Sequence, residues 1–320
     1  MRDVAPGVLQ LTLPLPWELK SVNIHVVKLS DGWMLVDAGI ATDECFAVLE
    51  QGLASRGIGW SDLRILLLTH MHPDHVGLAE RILAVSGARL YMHRSDAGHL
   101  ASLASGMKVS PWFQQAMIEA GVPGDLQEKI LKSFAMMGRN FSVLSPDVSL
   151  EGGETIPVDG DVLEVIWTPG HSAGHVCLYS PAHRYLISGD HLLNGITPNI
   201  SWHPDHDTLG EYLSSLEKLT HYEIDTVLPS HGRPFDDHRG WIRDTAAHHA
   251  DRCREIREAM ARGDRTAHQM VASLWSKSLS PFHHQFAVLE TLAHLEYMRR
   301  KGELRTETGP AGERSWLPAA

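Results

Sequence analysis

Long apolar runs are missing from this chain. None approaches the roughly 18 residues that a membrane-spanning helix needs, so no membrane segment is expected. The stretch Met1-Arg2-Asp3-Val4-Ala5-Pro6-Gly7 lacks a basic start leading into an apolar core, and Pro14 and Pro16 interrupt the apolar residues after it, so export by a signal peptide is not expected either. Cysteine is scarce: Cys45, Cys177 and Cys253 stand in unrelated contexts without metal-type spacing. They are expected to be reduced, buried or inert thiols of a cytoplasmic protein. Basic surplus is also missing, since 28 Lys and Arg stand against 39 Asp and Glu, a formal charge of −11. That balance favours solubility and disfavours nonspecific attraction to polyanions. What remains, 320 residues with 43% hydrophobic content, is enough for one large domain plus an appendage.

Histidine, by contrast, is plentiful at 21 residues, and its placement is uneven. Residues 69–75 read Thr-His-Met-His-Pro-Asp-His, directly after the apolar run Ile65-Leu66-Leu67-Leu68. The run predicts a buried strand, which places the His-rich turn at its C-terminal end, where α/β sheets present their chemistry. Neutral imidazole and carboxylate are ligands that borderline divalent ions such as zinc prefer. Downstream come Thr168-Pro169-Gly170-His171-Ser172-Ala173-Gly174-His175, then Ser188-Gly189-Asp190, then Pro229-Ser230-His231-Gly232. Each follows a short β-branched or Leu-rich run, so three more strand ends each offer one ligand.

This ordered set, together with the early Val36-Asp37-Ala38-Gly39 turn, resembles the metallo-β-lactamase superfamily of binuclear metallohydrolases over roughly residues 7–235. The resemblance implies an α/β fold, an αββα sandwich with two facing sheets. It implies that His70, His72 and His171 hold one metal, that Asp74, His75 and His231 hold the other, and that Asp190 bridges them. The implied cofactor is two zinc ions per chain, with iron or manganese as alternatives. A water shared by the ions would ionise near neutral pH and give a bridging hydroxide, which Asp74 would orient. Asp37 is expected behind the ligands, accepting the free N–H of a metal-bound ring, with capping of the turn before Gly39 as its alternative use. His175 is expected either just behind the site or as a packed, satisfied histidine, and His191, on the opposite face from Asp190, is not expected to be a ligand. The pairs His248-His249 and His283-His284 fall in helical stretches, where a solvated face is expected.

Further elements are read from periodicity. Helices are expected over 43–56, 76–86 and 207–220, and strands over 64–68, 89–93, 162–168, 176–179, 185–188 and 225–229. The segment 95–141 is too long for a plain connection. Leu100, Leu103, Met107, Trp112, Phe113, Met117, Leu126, Ile130, Phe134, Met137 and Phe141 recur in it at spacings mostly of three to five, which predicts two or three amphipathic helices. They either pack as core or roof the metal cleft, presenting Trp112, Phe113 and Met117 to an apolar substrate, with Trp202 from the 191–206 loop. Asn194 and Asn199 in that loop could contact a substrate oxygen, with service to its turns the commoner use of such residues.

Beyond residue 236 the chain becomes helical and densely charged. Gly263-Asp264 ends one helix, Thr266 caps a second, Pro281 starts a third, Gly302 stops it, and extended pieces at 304–306 and 314–317 complete the chain. The organisation expected is therefore a catalytic domain over 1–235, with 95–141 as a helical insertion over the active site, and a helical tail over 236–320. This tail resembles the winged helix carried by one branch of the superfamily that includes small endoribonuclease-like members. Residues 296–320 hold only one more basic than acidic side chain, so nucleic acid is not an expected partner. The tail is expected to pack against the sandwich, shape the cleft or make a homodimer contact. The pattern looks closest to glyoxalase-II-like enzymes. The expectation is thus a cytoplasmic hydrolase of a small-molecule thioester, ester or lactone with an apolar portion, a thioesterase or lactonase. A phosphodiesterase or endoribonuclease, a lactamase and a hydrolytic dehalogenase are the alternatives.

Overall fold

The alternating apolar residues near the amino terminus fold as an antiparallel meander, to which parallel strands are then added. In this computed structural model residues 1–104, 111–137, 144–275 and 279–319 are described. The first sheet has the order β1 (Arg2–Ala5), β2 (Val8–Pro14), β3 (Ser21–Leu29), β4 (Gly32–Val36), β5 (Leu63–Leu68), β6 (Arg89–His93) and β7 (Val148–Leu150). Strands β4 to β7 are parallel neighbours, so their carboxyl ends lie along one edge. Between these strands run α1 (Asp43–Ala54), the single turn α2 (Pro73–Val76) and α3 (Ala79–Ser86). Thr42 caps α1 by accepting the Cys45 amide.

Period-two alternation decides what each face meets. Leu66 and Leu68 turn to one side of β5 and pack with Leu49 and Leu53 of α1 and Ile82 of α3. Leu67 turns to the other side, where Met34 and Val36 join Leu163, Val165, Val176, Leu178 and Ile187 of the second sheet. With both faces covered, β5 is apolar from Ile65 to Leu68, as parallel strands in sandwiches are.

That second sheet has the order β12-β11-β10-β9-β8, built from β8 (Thr155–Val158), β9 (Asp161–Trp167), β10 (Val176–Tyr179), β11 (Tyr185–Gly189) and β12 (Thr226–Pro229). Strands β9 and β11 are both antiparallel to β10, and β12 is parallel to β11. The carboxyl ends of β9, β11 and β12 therefore also share an edge. The last turn and a half of α7 (Thr208–Leu219) lies against this sheet through Ser215 Oγ on Pro169 O at 2.9 Å and Lys218 Nζ on Trp167 O at 2.7 Å. The expected αββα layering is what is found. All three cysteines are buried and free, and no helix among the described residues is long and apolar enough to cross a membrane.

The chain divides into two compact units, the first being 1–106, 140–198 and 215–242, the second 107–139, 199–214 and 243–320. The helices expected in the long insertion are present as α4 (Arg94–Ala104), α5 (Pro111–Glu119) and α6 (Gly124–Met137). Within the second unit α5 and α6 join α8 (His238–Arg262, from residue 243), α9 (Ala267–Leu274), α10 (Pro281–Arg300) and the hairpin of β13 (Leu304–Thr308) with β14 (Arg314–Pro318). Arg314 pairs with Glu119, the His268 amide donates to Ala120 O at 2.9 Å, and α6 packs along α10. Helices α5 and α6 of the insertion thus share a unit with the tail while α4 belongs to the first unit, a partition that runs across the chain order. Met107 and Phe141, and the side chains of Leu103, Phe134 and Met137, lie outside the described residues.

One expectation fails here. His249 is not on a solvated face: it is 2% exposed, and its Nδ1 stands 3.0 Å from His294 Nε2, while His294 Nδ1 donates to Glu290 O at 2.7 Å. Helical periodicity alone could not show that this polar face is covered by α10.

Candidate metal centre

Every ligand candidate named from the sequence lies in the first unit, at the strand ends just described. Asp37 follows β4, His70 follows β5, His171 follows β9, Asp190 follows β11 and His231 follows β12. After β5 the chain turns at once into α2, with His72 as N-cap and Pro73 at the first helical position, where its fixed φ and missing N–H suit a helix start. That single turn aims Asp74 and His75 back toward the strand end. Asp74 and His75 are buried and His72 is half-buried.

Seven side chains meet in three overlapping groups: His70, His72 and His171; His70, His75 and Asp190; Asp74, His75 and His231. Within each group the ligand-type atoms lie within 4.8 Å of one another. Asp190 stands between the two histidine sets, with Oδ2 at 3.6 Å from His171 Nε2 and 3.5 Å from His231 Nε2, and Oδ1 at 3.6 Å from His75 Nε2. His231 Nε2 is 3.3 Å from Asp74 Oδ2.

These residues fit a bound cation. His75 Nε2, His231 Nε2 and Asp190 Oδ1 are buried and make no hydrogen bond. Buried polar atoms left so are costly unless something else satisfies them. Two ligands of a common tetrahedral ion, each about 2.0–2.1 Å from it, stand roughly 3.3–3.4 Å apart, close to the spacing seen. Imidazole and carboxylate without thiolate suit a borderline divalent ion.

The opposite ring nitrogens are anchored by the protein, which fixes ring orientation. His75 Nδ1 lies 2.9 Å from Asp37 Oδ2, and Asp37 Oδ1 also accepts the Thr69 amide at 2.8 Å. His70 Nδ1 is 3.0 Å from Thr69 Oγ1, and His231 Nδ1 is 2.9 Å from Ser21 O. Asp37 reaches these partners from a left-handed backbone, φ 66°, which Asp tolerates better than most residues. Its carboxylate serves His75 and Thr69 rather than the turn before Gly39. His175 sits behind the ligands: Nδ1 is 2.8 Å from Thr168 Oγ1, and Nε2 accepts the Asp190 amide at 3.1 Å. Gly189, at φ +51°, permits this, because a Cβ there would stand 2.6 Å from His175 Nε2.

Electrostatics separates the two histidine sets. Burial, reinforced by the adjacent His171, holds His72 down at about 3, and burial keeps His70 well below the usual imidazole range. Burial would lower His231 too, yet the Asp190 and Asp74 carboxylates override it and lift His231 to about 10. Burial by itself would raise Asp190, and His231 and His75 pull it well below the usual carboxylate range. The half of the site that holds Asp74 and Asp190 therefore draws positive charge.

Two supporting residues carried no motif and were not singled out from the sequence. Asp96, fully buried at the start of α4, accepts hydrogen bonds from the Met71 amide at 3.0 Å, Ser172 Oγ at 2.7 Å and the Gly174 amide at 2.6 Å. Asn23, on β3, donates to Pro229 O at 3.1 Å and Gly232 O at 2.9 Å, and so holds the loop that carries His231. Their only sequence signal is a polar residue inside or beside a strand that reads as buried.

The residues expected to meet substrate belong to the second unit. Phe113 and Met117 are fully buried there, and Trp202 is 9% exposed. Trp112 is half-buried, with ring centroids 6.0 Å from Phe113, 6.4 Å from Trp202 and 5.1 Å from His203. Asn194 donates to Arg233 O and Asn199 to the Glu290 carboxylate, so both side chains tether the loop to distant parts of the chain rather than forming its turns. His191 is buried and outside all three ligand groups.

A two-sheet sandwich with this donor set along the ends of its strands is the scaffold of a metal-dependent hydrolase. The chain belongs to the metallo-beta-lactamase superfamily: a model of that superfamily matches residues 17–231, and one of a metallo-beta-lactamase-like C-terminal domain matches 253–316. A beta-lactamase domain protein from Burkholderia ambifaria has a similar structure, with TM-score 0.88 and 29% identity over 99% of this chain and 94% of that one. The probable metallo-hydrolase YqjP of Bacillus subtilis (strain 168) is 26% identical over 278 residues, 84% of this chain and 85% of that protein. The acyl-coenzyme A thioesterase MBLAC2 of Bos taurus is 26% identical over 229 residues, 68% of this chain and 75% of that protein. The chain is accordingly a metallo-hydrolase.

Proposed function

We propose that this chain is a binuclear zinc hydrolase that cleaves a thioester, ester or lactone with an apolar portion. In this reading His70, His72 and His171 hold one ion, Asp74, His75 and His231 hold the other, and Asp190 reaches both. The observation that carries it is the overlap of the ligand groups: the one formed by His70, His75 and Asp190 shares a histidine with each of the other two, as two adjacent positions require. Two divalent ions held there would supply a water that ionises near neutral pH and would offset the charge that builds on the attacked oxygen.

The rest is done by this chain. Burial keeps His70 and His72 neutral, with lone pairs free to ligate. Asp37, through His75 Nδ1, fixes which nitrogen of that ring faces the site. Asp74 is the acceptor that would orient the attacking water.

Acyl substrates are favoured by the relative named as an acyl-coenzyme A thioesterase. Nucleic acid is disfavoured because the basic side chains of residues 296–320 already face acids or rings: Arg299 and Arg300 pair with Glu296, Arg305 with Glu307, Arg314 with Glu119, and Lys301 lies over Tyr297. The tail then acts by packing rather than by reading phosphates. The test is a panel assay of the zinc-loaded protein against acyl thioesters, lactones, a chromogenic lactam, haloaromatics and single-stranded RNA. Turnover of the first two classes is expected, and turnover confined to any of the last three overturns the acyl reading.

A further inference from the structure

Asp96 is a buried carboxylate that the ligand set does not use, yet it touches both halves of one proposed metal position. It opens α4 immediately after β6, so the first sheet holds it. Its Oδ2 accepts from the Met71 amide, which lies between His70 and His72, and from Ser172 Oγ, adjacent to His171. Its Oδ1 accepts from the Gly174 amide, in the loop that leaves the second sheet. One carboxylate thereby ties the ligand turn of one sheet to the ligand loop of the other. The approach is so close that a Cβ at Gly174 would stand 2.7 Å from the Asp96 amide nitrogen and 2.8 Å from its Cγ.

Three converging donors demand this residue type. Buried backbone N–H groups must find acceptors, and an ionised carboxylate accepts on both oxygens and donates on neither. Asparagine would turn an NH₂ toward at least one of the donors, leaving two donors face to face.

Building on the ligand assignment above, we propose that Asp96 is a positioning residue that sets the distance from His70 and His72 to His171, and with it the affinity of that metal position. The position formed by Asp74, His75 and His231 is braced separately, by Asp37 on His75 and by Asn23 on the His231 loop. The two positions should therefore respond differently to the same substitution.

The experiment is zinc titration of the metal-free wild type, Asp96→Asn and Ser172→Ala, monitored by calorimetry, with amide hydrogen exchange on the same metal-free proteins. Wild type is expected to bind two ions. Asp96→Asn is expected to weaken one binding step at least about 10-fold and leave the other within error, with Ser172→Ala weakening the same step by less. Exchange should quicken at 70–72 and 172–174 and stay unchanged at 229–232, a pattern that a general loss of stability would not give. Two steps of wild-type affinity in Asp96→Asn, or equal weakening of both, overturns the proposal alone. Uptake of no more than one ion by wild type removes the ligand assignment and this proposal with it. Should Asp96→Asn not fold, Ser172→Ala decides by the same criteria, since it removes one of the three bonds and leaves the carboxylate.

Discussion

Asp190 can be tested without disturbing the packing around it, because its side chain is held by the charges it faces. Asp190→Ala removes the carboxylate that stands between His171 on one side and His75 and His231 on the other. Expected is a fall of at least about 100-fold in kcat/KM together with loss of one bound metal per chain, read by metal analysis of the purified variant. Full turnover in that variant would exclude a role between the two positions. Asp37→Asn is subtler, since Asn also tolerates the left-handed backbone found there. Its NH₂ would face His75 Nδ1, favouring the tautomer whose proton sits on Nε2, the nitrogen that should ligate. Metal affinity at that position is expected to drop about 10–100-fold, measured by competition with a chelating dye.

Among the elements, the tail offers a clean test of local reasoning. Thr266 caps α9 by accepting the Gln269 amide, while the Gln269 side chain accepts the Thr266 amide, a reciprocal box that satisfies two donors of the first turn. Thr266→Ala should lower stability by about 1 kcal/mol, checked by urea denaturation. This cap, Pro281 at the start of α10 and the strand at 89–93 were all legible in the sequence because each depends on neighbours a few residues away. The candidate ligand cluster was legible too, since strand ends concentrate its residues into short motifs. Asp96 was not legible: its partners Ser172 and Gly174 are 76 and 78 residues distant, and an Asp at a helix start reads as an ordinary first-turn acid. The union of 107–139 with the tail was hidden for the same reason, as apolar spacing tells which face is covered and not by what.

At the scale of the whole molecule, buried histidines make stability depend on pH. Burial, with His294 adding to it, lowers His249 to about 3, and burial lowers His294 to about 4. In the unfolded chain both titrate near 6.5, so unfolding takes up protons below that pH. Their contribution to stability is complete above about pH 6.5 and is lost as pH falls toward 3 to 4. His249→Gln should reduce the slope of unfolding free energy against pH between 6 and 4 by up to one proton, about 1.4 kcal/mol per pH unit. Parallel denaturation curves for the two proteins over that range would refute it.

The candidate ligands come from both sheets, and Asp74 and His231, assigned above to one ion, are separated by about 160 residues of chain. A shared ion would therefore act as a reversible staple across a very long loop, where closing the chain costs the most entropy. During synthesis neither proposed position can be completed by the first sheet alone: one waits for residue 171, the other for residue 231. Metal loading at the second position then becomes a late step in making the sandwich, and a chain interrupted before its twelfth strand would carry six of the seven candidate ligands and lack His231 to close that position.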